Sequence, residues 1–323
     1  MRSSMRISVN HNTLEVSGLR PLIEELREVG IEVPSMCYAE GYEHHPSCMV
    51  CMVKDVKTEQ MIPSCSTMPY EGMEIETDSD EVKELRRLSL ELLLSDHRAD
   101  CEAPCTMVCQ RGIDVAGVIR LYDMGKMDEA RKLLRNVSCG DCKAPCEKAC
   151  RRVTVDEGVK IREILNEVLP GGKGTVPVAS QAPELWKGAG GIVPFNSRLG
   201  RFSDREKQRM KETYTQPSRC LHCACDGRVD CRLRSLATKM GIKVTRYGVQ
   251  SSLPVKEQIA VTGRLVYEPA KCIRCGLCVY NTQDGFTFER RGFDMRVVIP
   301  EESKKHVSEQ IARLCPTGAL ALR

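Results

Sequence analysis

Nineteen cysteines are spread over 323 residues, and their spacing sorts them into sets. Cys37, Cys48, Cys51 and Cys65 come first, then Cys101, Cys105 and Cys109, then Cys139, Cys142, Cys146 and Cys150. Cys220, Cys223, Cys225 and Cys231 form a fourth set, and Cys272, Cys275, Cys278 and Cys315 a fifth. No cysteine is left over. Clustered thiols are metal or redox ligands in a reducing compartment and disulfide partners in an oxidising one. The odd total, and an opening Met1–Asn10 without the apolar run of a secretory signal, favour thiolates and a cytoplasmic chain. No apolar run nears the ~18 residues that a membrane-spanning helix needs.

Each set has its own chemistry. The first has the spacing C-x10-C-x2-C-x13-C, which brings two thiolates to each iron of a [2Fe–2S] cluster from a loop and the strand after it. A four-cysteine zinc ribbon is the competing structure. His44 and His45, in the long spacer, are expected as solvated loop residues. The fifth set, C-x2-C-x2-C completed by Cys315-Pro316, matches the bacterial ferredoxin run around a [4Fe–4S] cube. Between them lies a repeat: DCEAPCTMVC at 100–109 and DCKAPCEKAC at 141–150, offset by 41 residues. Cys139 precedes the second copy, and His97 stands at about that place before the first. Two cubes need eight ligands and the region has seven cysteines, so His97 is the expected eighth, imidazole being able to replace thiolate on iron. In two-cluster ferredoxins the fourth cysteine of each motif serves the other cluster. That crossing gives His97, Cys101, Cys105 and Cys150 on one cube, and Cys139, Cys142, Cys146 and Cys109 on the other. The fourth set, CLHCACDGRVDC, is expected to form a module of its own. It suits either a [4Fe–4S] cube or a closed zinc site, with His222 beside the ligands or at the surface. Iron content separates the two: about 18 atoms per chain with four cubes, about 14 with zinc.

The formal charge is +4, from 48 basic and 44 acidic residues. Four thiolates around a two-plus core leave about −2 per cluster, so five clusters would turn the loaded protein negative. The basic excess is therefore no signal for nucleic acid, and an aromatic content of 4% offers few base-stacking platforms.

The elements that must hold these ligands are short. Met5–Val9 and Asn12–Val16 alternate as strands, and Pro21–Val29 carries a helical pattern opened by proline. Further strands are expected at Met49–Val53 and Met73–Glu76. A helix is expected at Asp80–Leu94, with Val82, Leu85, Leu88 and Leu92 on its buried face. More helices follow at Val115–Tyr122, Asp128–Arg135, Ile161–Val168, Asp204–Glu212 and Arg232–Met240. A last one, Lys304–Leu314, would deliver Cys315. Residues 171 to about 201, rich in Gly, Pro and Ser around Trp186, read as extended. The expected division is a [2Fe–2S] ferredoxin-like domain at 1–79, a helical domain with two [4Fe–4S] clusters at 80–169, and an extended linker at 170–219. A small four-cysteine module at 220–262 and a [4Fe–4S] ferredoxin-like domain at 263–323 complete it.

The text GIEVPSMCYAEGYEHHPSCMVCMVKD…IPSC resembles the N-terminal domain of the large iron–sulfur subunit of complex I and of iron-only hydrogenases. KCIRCGLCVY…CPTGAL resembles the electron-input region of the same proteins. The segment from Cys101 through CGDCKAPCEKACRRVTVDEGVKIREI is similar to the two-cluster N-terminal domain of glutamate synthase small subunits and dihydropyrimidine dehydrogenase. LLLSDHRADC resembles the His-x3-Cys segment that opens a one-histidine, three-cysteine cluster site in complex I. The glutamate synthase family also uses a non-cysteine ligand downstream, so Glu157 and Glu163 stay open as alternatives to His97. These resemblances imply an α+β, multi-domain iron–sulfur protein. It would comprise a β-grasp [2Fe–2S] ferredoxin domain, a helical two-cluster domain and a bacterial-ferredoxin-like C-terminal domain, holding one [2Fe–2S] and three to four [4Fe–4S] clusters.

In the glutamate synthase family the two-cluster domain feeds a flavin-binding domain with G-x-G-x-x-G after a strand. Here Gly171, Gly172 and Gly174 follow a helix and a proline, and Gly188, Gly190 and Gly191 have no better context. The function expected is electron relay between a flavin/NAD(P)-binding subunit and a catalytic oxidoreductase subunit, with the first and fifth sets at its two ends. The competing classes are a redox sensor, a structural iron–sulfur scaffold, and an oxidoreductase catalytic in its own right. A sensor usually carries one labile cluster with an output domain, and a catalyst of the hydrogenase type needs a further cysteine set.

Overall fold

The computed structural model describes residues 4–97, 101–135, 137–169, 208, 219–225, 231–242 and 258–322. The expected helix at 204–212 and the extended stretch from 171 to about 201 lie outside them, apart from residue 208. The described chain is a mixed helix-and-sheet protein.

Its first unit is a five-stranded sheet in the order β2-β1-β5-β3-β4. β1 (Met5–Val9) and β2 (Asn12–Val16) form an antiparallel hairpin, and β1 runs parallel to β5 (Glu74–Glu76). β3 (Met52–Asp55) pairs antiparallel with β5 and with β4 (Gln60–Pro63). Ile7, Val9, Val53 and Ile75 point to one face and bury it against α1 (Leu22–Glu28), whose Leu22, Ile23 and Leu26 are 0–1% exposed. β3 starts three residues later than its sequence pattern indicates. Met49 turns into the left-handed region (φ 55°) and Val50 is buried, so this stretch belongs to the cysteine loop. β4 escapes the pattern because Pro63 demotes it; a proline is tolerated there because β4 is an edge strand.

α2 (Asp80–Asp96) leads out of this unit and ends at His97, which adopts an extended conformation. Its buried stripe runs through Val82, Arg86, Leu90 and Leu94, and Leu92 is 46% exposed. The expected stripe is thus rotated, because Arg86 turns inward and donates from Nε and Nη2 to the Met52 carbonyl at 3.0 and 2.7 Å. Next come α3 (Pro104–Met107), α4 (Val115–Asp123), α5 (Met127–Leu134), α6 (Pro145–Lys148) and α7 (Ile161–Val168), packed around Val118, Ile119, Ile164 and Leu165. α4 is capped by Asp114, whose side chain accepts from the Gly117 N–H. The C-terminal unit has a three-stranded sheet of β6 (Ile259–Thr262), β7 (Leu265–Tyr267) and β10 (Leu320–Leu322) in the order β10-β7-β6, and a small hairpin of β8 (Thr287–Glu289) with β9 (Arg296–Val298). Helix Lys304–Leu314 does not form. Two 3-10 segments, Glu301–His306 and Glu309–Arg313, stand in its place, separated where Val307 extends (φ −95°, ψ 122°) to bury its side chain and Ser308 caps the second. Among the described residues no helix is long and apolar enough to cross a membrane.

Candidate metal centres

All nineteen cysteines are free thiols; no disulfide competes for them. In the first set, Cys37, Cys48 and Cys51 lie on the loop between α1 and β3, and Cys65 follows β4. The four are 0–5% exposed and hydrogen-bonded to one another: Cys37 to Cys48 and Cys65, and Cys51 to Cys65. Backbone N–H groups point at the sulfurs, Ser47 at Cys37 and Val50 at Cys48, each at 3.5 Å. Hydrogen bonds from Cys48 and Cys65 hold the Cys37 thiol far below the ordinary range, and the bond from Cys65 brings Cys51 down to about 7. The same contacts, with burial, push the Cys48 and Cys65 thiols well above the ordinary range, so the pocket favours thiolate, the form that binds iron, at two of its four sulfurs. Most of the Cys37–Cys48 spacer is solvent-exposed, His45 included, and it also makes specific contacts. His44 Nε2 meets the Cys65 carbonyl at 3.1 Å and His45 stacks on Tyr280 at 4.2 Å. Asn281 Nδ2 donates to the Glu43 carbonyl at 2.8 Å and its Oδ1 accepts from Glu43 N at 3.0 Å. The extra length of the spacer docks the first unit on the last.

In the fifth set Cys272, Cys275, Cys278 and Cys315 line one cavity with Tyr267 and Leu320. Burial pushes the Cys272 thiol up to about 11. The Arg274 N–H donates to its sulfur at 3.3 Å. The loop wraps the cavity because Arg274 and Gly276 take φ of 56° and 79°; at Gly276 a Cβ would strike the Tyr280 ring, so only glycine fits.

The sequence repeat is a structural repeat. Each APC places a proline in the first turn of a four-residue helix, α3 and α6, and the two helices pack together. Cys109 lies beside Cys139 and Cys146, and Cys139 beside Cys142; burial pushes Cys139 to about 11 and Cys146 to about 12. Cys105 lies beside Cys150 and Cys146 but also beside Cys220. His97, 4% exposed, meets the Lys271 carbonyl through Nδ1 at 3.0 Å. Glu157 and Glu163 are exposed: the Glu157 carbonyl accepts from Arg219 and the Glu163 carboxylate pairs with Lys160 at 3.6 Å. The cysteines from 220 to 231, expected together, are parted among three packed cores. Cys220 packs with the helical domain, Cys223 with Ala103 and Ala116, and Cys231 with Cys37, Cys48 and Cys101. Among the described residues no three His, Cys, Asp or Glu side chains converge as they would on a single metal ion. His222 Nε2 faces Asp123 at 3.8 Å.

One core joins the centres. Cys37, Cys48, Cys101, Cys231 and Cys275 share it with Met36, Leu90 and Leu94. Thiols of the first and fifth sets therefore lie on one core.

Two domain models match the chain: a 2Fe-2S iron-sulfur cluster binding domain over residues 2–80 and a 4Fe-4S single cluster domain over 265–322. Together with the thiol pockets they define an iron–sulfur protein with ferredoxin-type [2Fe–2S] and [4Fe–4S] domains. Its sequence is similar to that of the NADH-ubiquinone oxidoreductase 75 kDa subunit of Reclinomonas americana, at 27% identity over 42% of this chain and 20% of that one. The mitochondrial NADH-ubiquinone oxidoreductase 78 kDa subunit of Candida albicans is 26% identical over 34% of this chain and 15% of its own length. The NADP-reducing hydrogenase subunit HndD of Solidesulfovibrio fructosivorans is 33% identical over 31% and 18%. The matched region thus spans a fifth or less of these relatives. A chain in the crystal structure of an NAD+-reducing [NiFe]-hydrogenase in the H2-reduced state shares the fold over 99% of this chain and 88% of its own, with a TM-score of 0.53 at 15% identity.

Proposed function

We propose that the chain is an electron-relay subunit of a larger oxidoreductase. It would pass single electrons through one [2Fe–2S] and four [4Fe–4S] clusters between a flavin/NAD(P)-binding subunit and a catalytic subunit. The observation that carries this reading is the shared core in which thiols of the first and fifth sets pack with Cys101 and Cys231. Conduction requires closely spaced carriers, and iron–sulfur clusters exchange one electron over a wide range of potentials set by charge, hydrogen bonds and exposure. The relatives named as subunits of NADH-ubiquinone oxidoreductase and NADP-reducing hydrogenase support the assignment to a complex.

When bound, the clusters supply the redox chemistry; the chain holds and tunes them. Cys37, Cys48, Cys51 and Cys65 hold the [2Fe–2S] cluster, and Cys272, Cys275, Cys278 and Cys315 a cube. The Ser47, Val50 and Arg274 N–H groups stabilise charge on sulfur and raise the potential of the centre they face. Leu90, Leu94 and Met36, all 0% exposed, keep water from the shared core. Anaerobically purified, the chain should be reduced by dithionite with several EPR signals and show no NADH-dependent turnover by itself. Specific NADH turnover by the isolated chain would overturn the relay reading.

A further inference from the structure

We propose that the cysteines from 220 to 231 hold no cluster of their own but complete two others. Cys220 and Cys223 join Cys105 and Cys150 around one [4Fe–4S] cube, and Cys225 and Cys231 join His97 and Cys101 around a second, histidine-ligated one. This assignment rests on the reading of the thiols as cluster ligands.

The first grouping follows from one cavity, whose wall carries Cys105, Cys150, Cys220 and Cys223. Cys220 is fastened there by its neighbour. Arg152, 1% exposed, forks onto Asp156 at 2.6 and 2.8 Å and reaches the Arg219 carbonyl at 3.4 Å. Arg219 returns Nη2 to Asp156 Oδ1 at 3.0 Å and to the Glu157 carbonyl at 2.8 Å. Leu221 and Ala224 then pack on Ala103, Ala116 and Val155, so the segment lies across the repeat with two thiols turned into it. The second grouping is built around Lys271. His97 Nδ1 donates to the Lys271 carbonyl at 3.0 Å, which fixes the tautomer that keeps the Nε2 lone pair for a metal. Thr317 Oγ1 donates to the same carbonyl at 2.9 Å. The next residue, Gly318, abuts Cys225: a Cβ there would lie 2.7 Å from the Cys225 sulfur and 4.0 Å from Lys271 Cδ. Cys225 and His97 thus approach the same corner of the fold, the one formed by Lys271, Thr317 and Gly318. Cys231 precedes the helix Arg232–Lys239, which is pinned by Arg232 N to the Pro316 carbonyl at 3.0 Å and by its guanidinium to the Tyr38 and Leu314 carbonyls. Cys231 and Cys101 share the core described above, and Cys231 lies beside both Cys225 and Cys101.

The assignment completes the ligand count. Nineteen thiols and His97 fill five sets of four, with Cys109, Cys139, Cys142 and Cys146 as the remaining one. It removes the four-thiol zinc site, and it places the histidine-ligated cube at the junction between the shared core and the helical domain.

The test maps EPR signals in the reduced, anaerobic full chain, using Cys220→Ser, Cys223→Ser, Cys225→Ser and Cys231→Ser with nitrogen couplings from pulsed EPR. Serine keeps an oxygen donor; whether a signal shifts or vanishes, the grouping is read the same way. Cys225→Ser and Cys231→Ser should alter the one signal that carries a 14N coupling, the coupling that His97→Cys abolishes. Cys220→Ser and Cys223→Ser should alter a different signal, the same one as Cys105→Ser. If all four variants alter a single signal without nitrogen coupling, or if the pairs divide in any other way, the assignment fails while the relay reading stands. A chain without iron and sulfide would defeat the relay reading itself.

Discussion

Replacing Arg152 with alanine should destabilise the helical domain by about 3 kcal/mol. Arg152 is 1% exposed and binds Asp156 through two parallel bonds of 2.6 and 2.8 Å, the geometry of a strong charge-assisted pair. Removing one partner of a buried pair costs about 3–5 kcal/mol, mostly because the other charge is left behind. Two features hold the figure to the lower end: the Asp156 side chain is 20% exposed, and it keeps Arg219 at 3.0 Å. At a guanidinium slope of about 4 kcal/mol/M, that loss moves the unfolding midpoint down by about 0.7 M. The assay is an anaerobic guanidinium titration followed by cluster absorbance and far-UV circular dichroism. Arg219→Ala should cost about 1.5 kcal/mol, and the double variant should depart from additivity because both guanidinium groups share Asp156. Arg152→Lys, which cannot fork, should recover little. A midpoint within the range of an ordinary surface substitution, about 0.5 kcal/mol, would refute the reasoning.

Asn281→Ala removes both bonds to the Glu43 backbone, so it should lower stability by about 1–2 kcal/mol and weaken magnetic coupling between the EPR signals of the first and fifth sets; unchanged coupling would show that this contact does not set their separation. Gly276→Ala forces a side chain into φ 79° against Tyr280 and should cost about 2 kcal/mol or more, with selective loss of the C-terminal cube and its ~4 irons. Full iron retention would count against the close approach. Leu94→Ala, at a fully buried position of the shared core, should cost about 2–5 kcal/mol by the same guanidinium titration.

The elements legible in the sequence are those with strong local signals. The hairpin of Met5–Val9 with Asn12–Val16 and the helices Ile161–Val168 and Arg232–Lys239 follow from alternation and helical periodicity alone. The two matched domains coincide with the cysteine sets that have the firmest spacing, where three ligands are near neighbours on one loop. Illegible were features set by distant partners. Arg86 turns α2 because it finds the Met52 carbonyl, and Val307 breaks a helical pattern to enter a core. The division of the cysteines from 220 to 231 depends on contacts with Cys105 and Gly318, about a hundred residues away in opposite directions. The ten-residue spacer between Cys37 and Cys48 likewise gave no sign that His45 and Glu43 would meet Tyr280 and Asn281.

The measurement that bears most directly on the relay account is iron and acid-labile sulfide analysis of the anaerobically purified full chain, paired with a dithionite titration followed by EPR. About 18 irons and as many sulfides per chain, with five reducible centres, is the result expected from one binuclear and four cubane clusters. A colourless chain without sulfide, or iron that takes up no electrons, would contradict it.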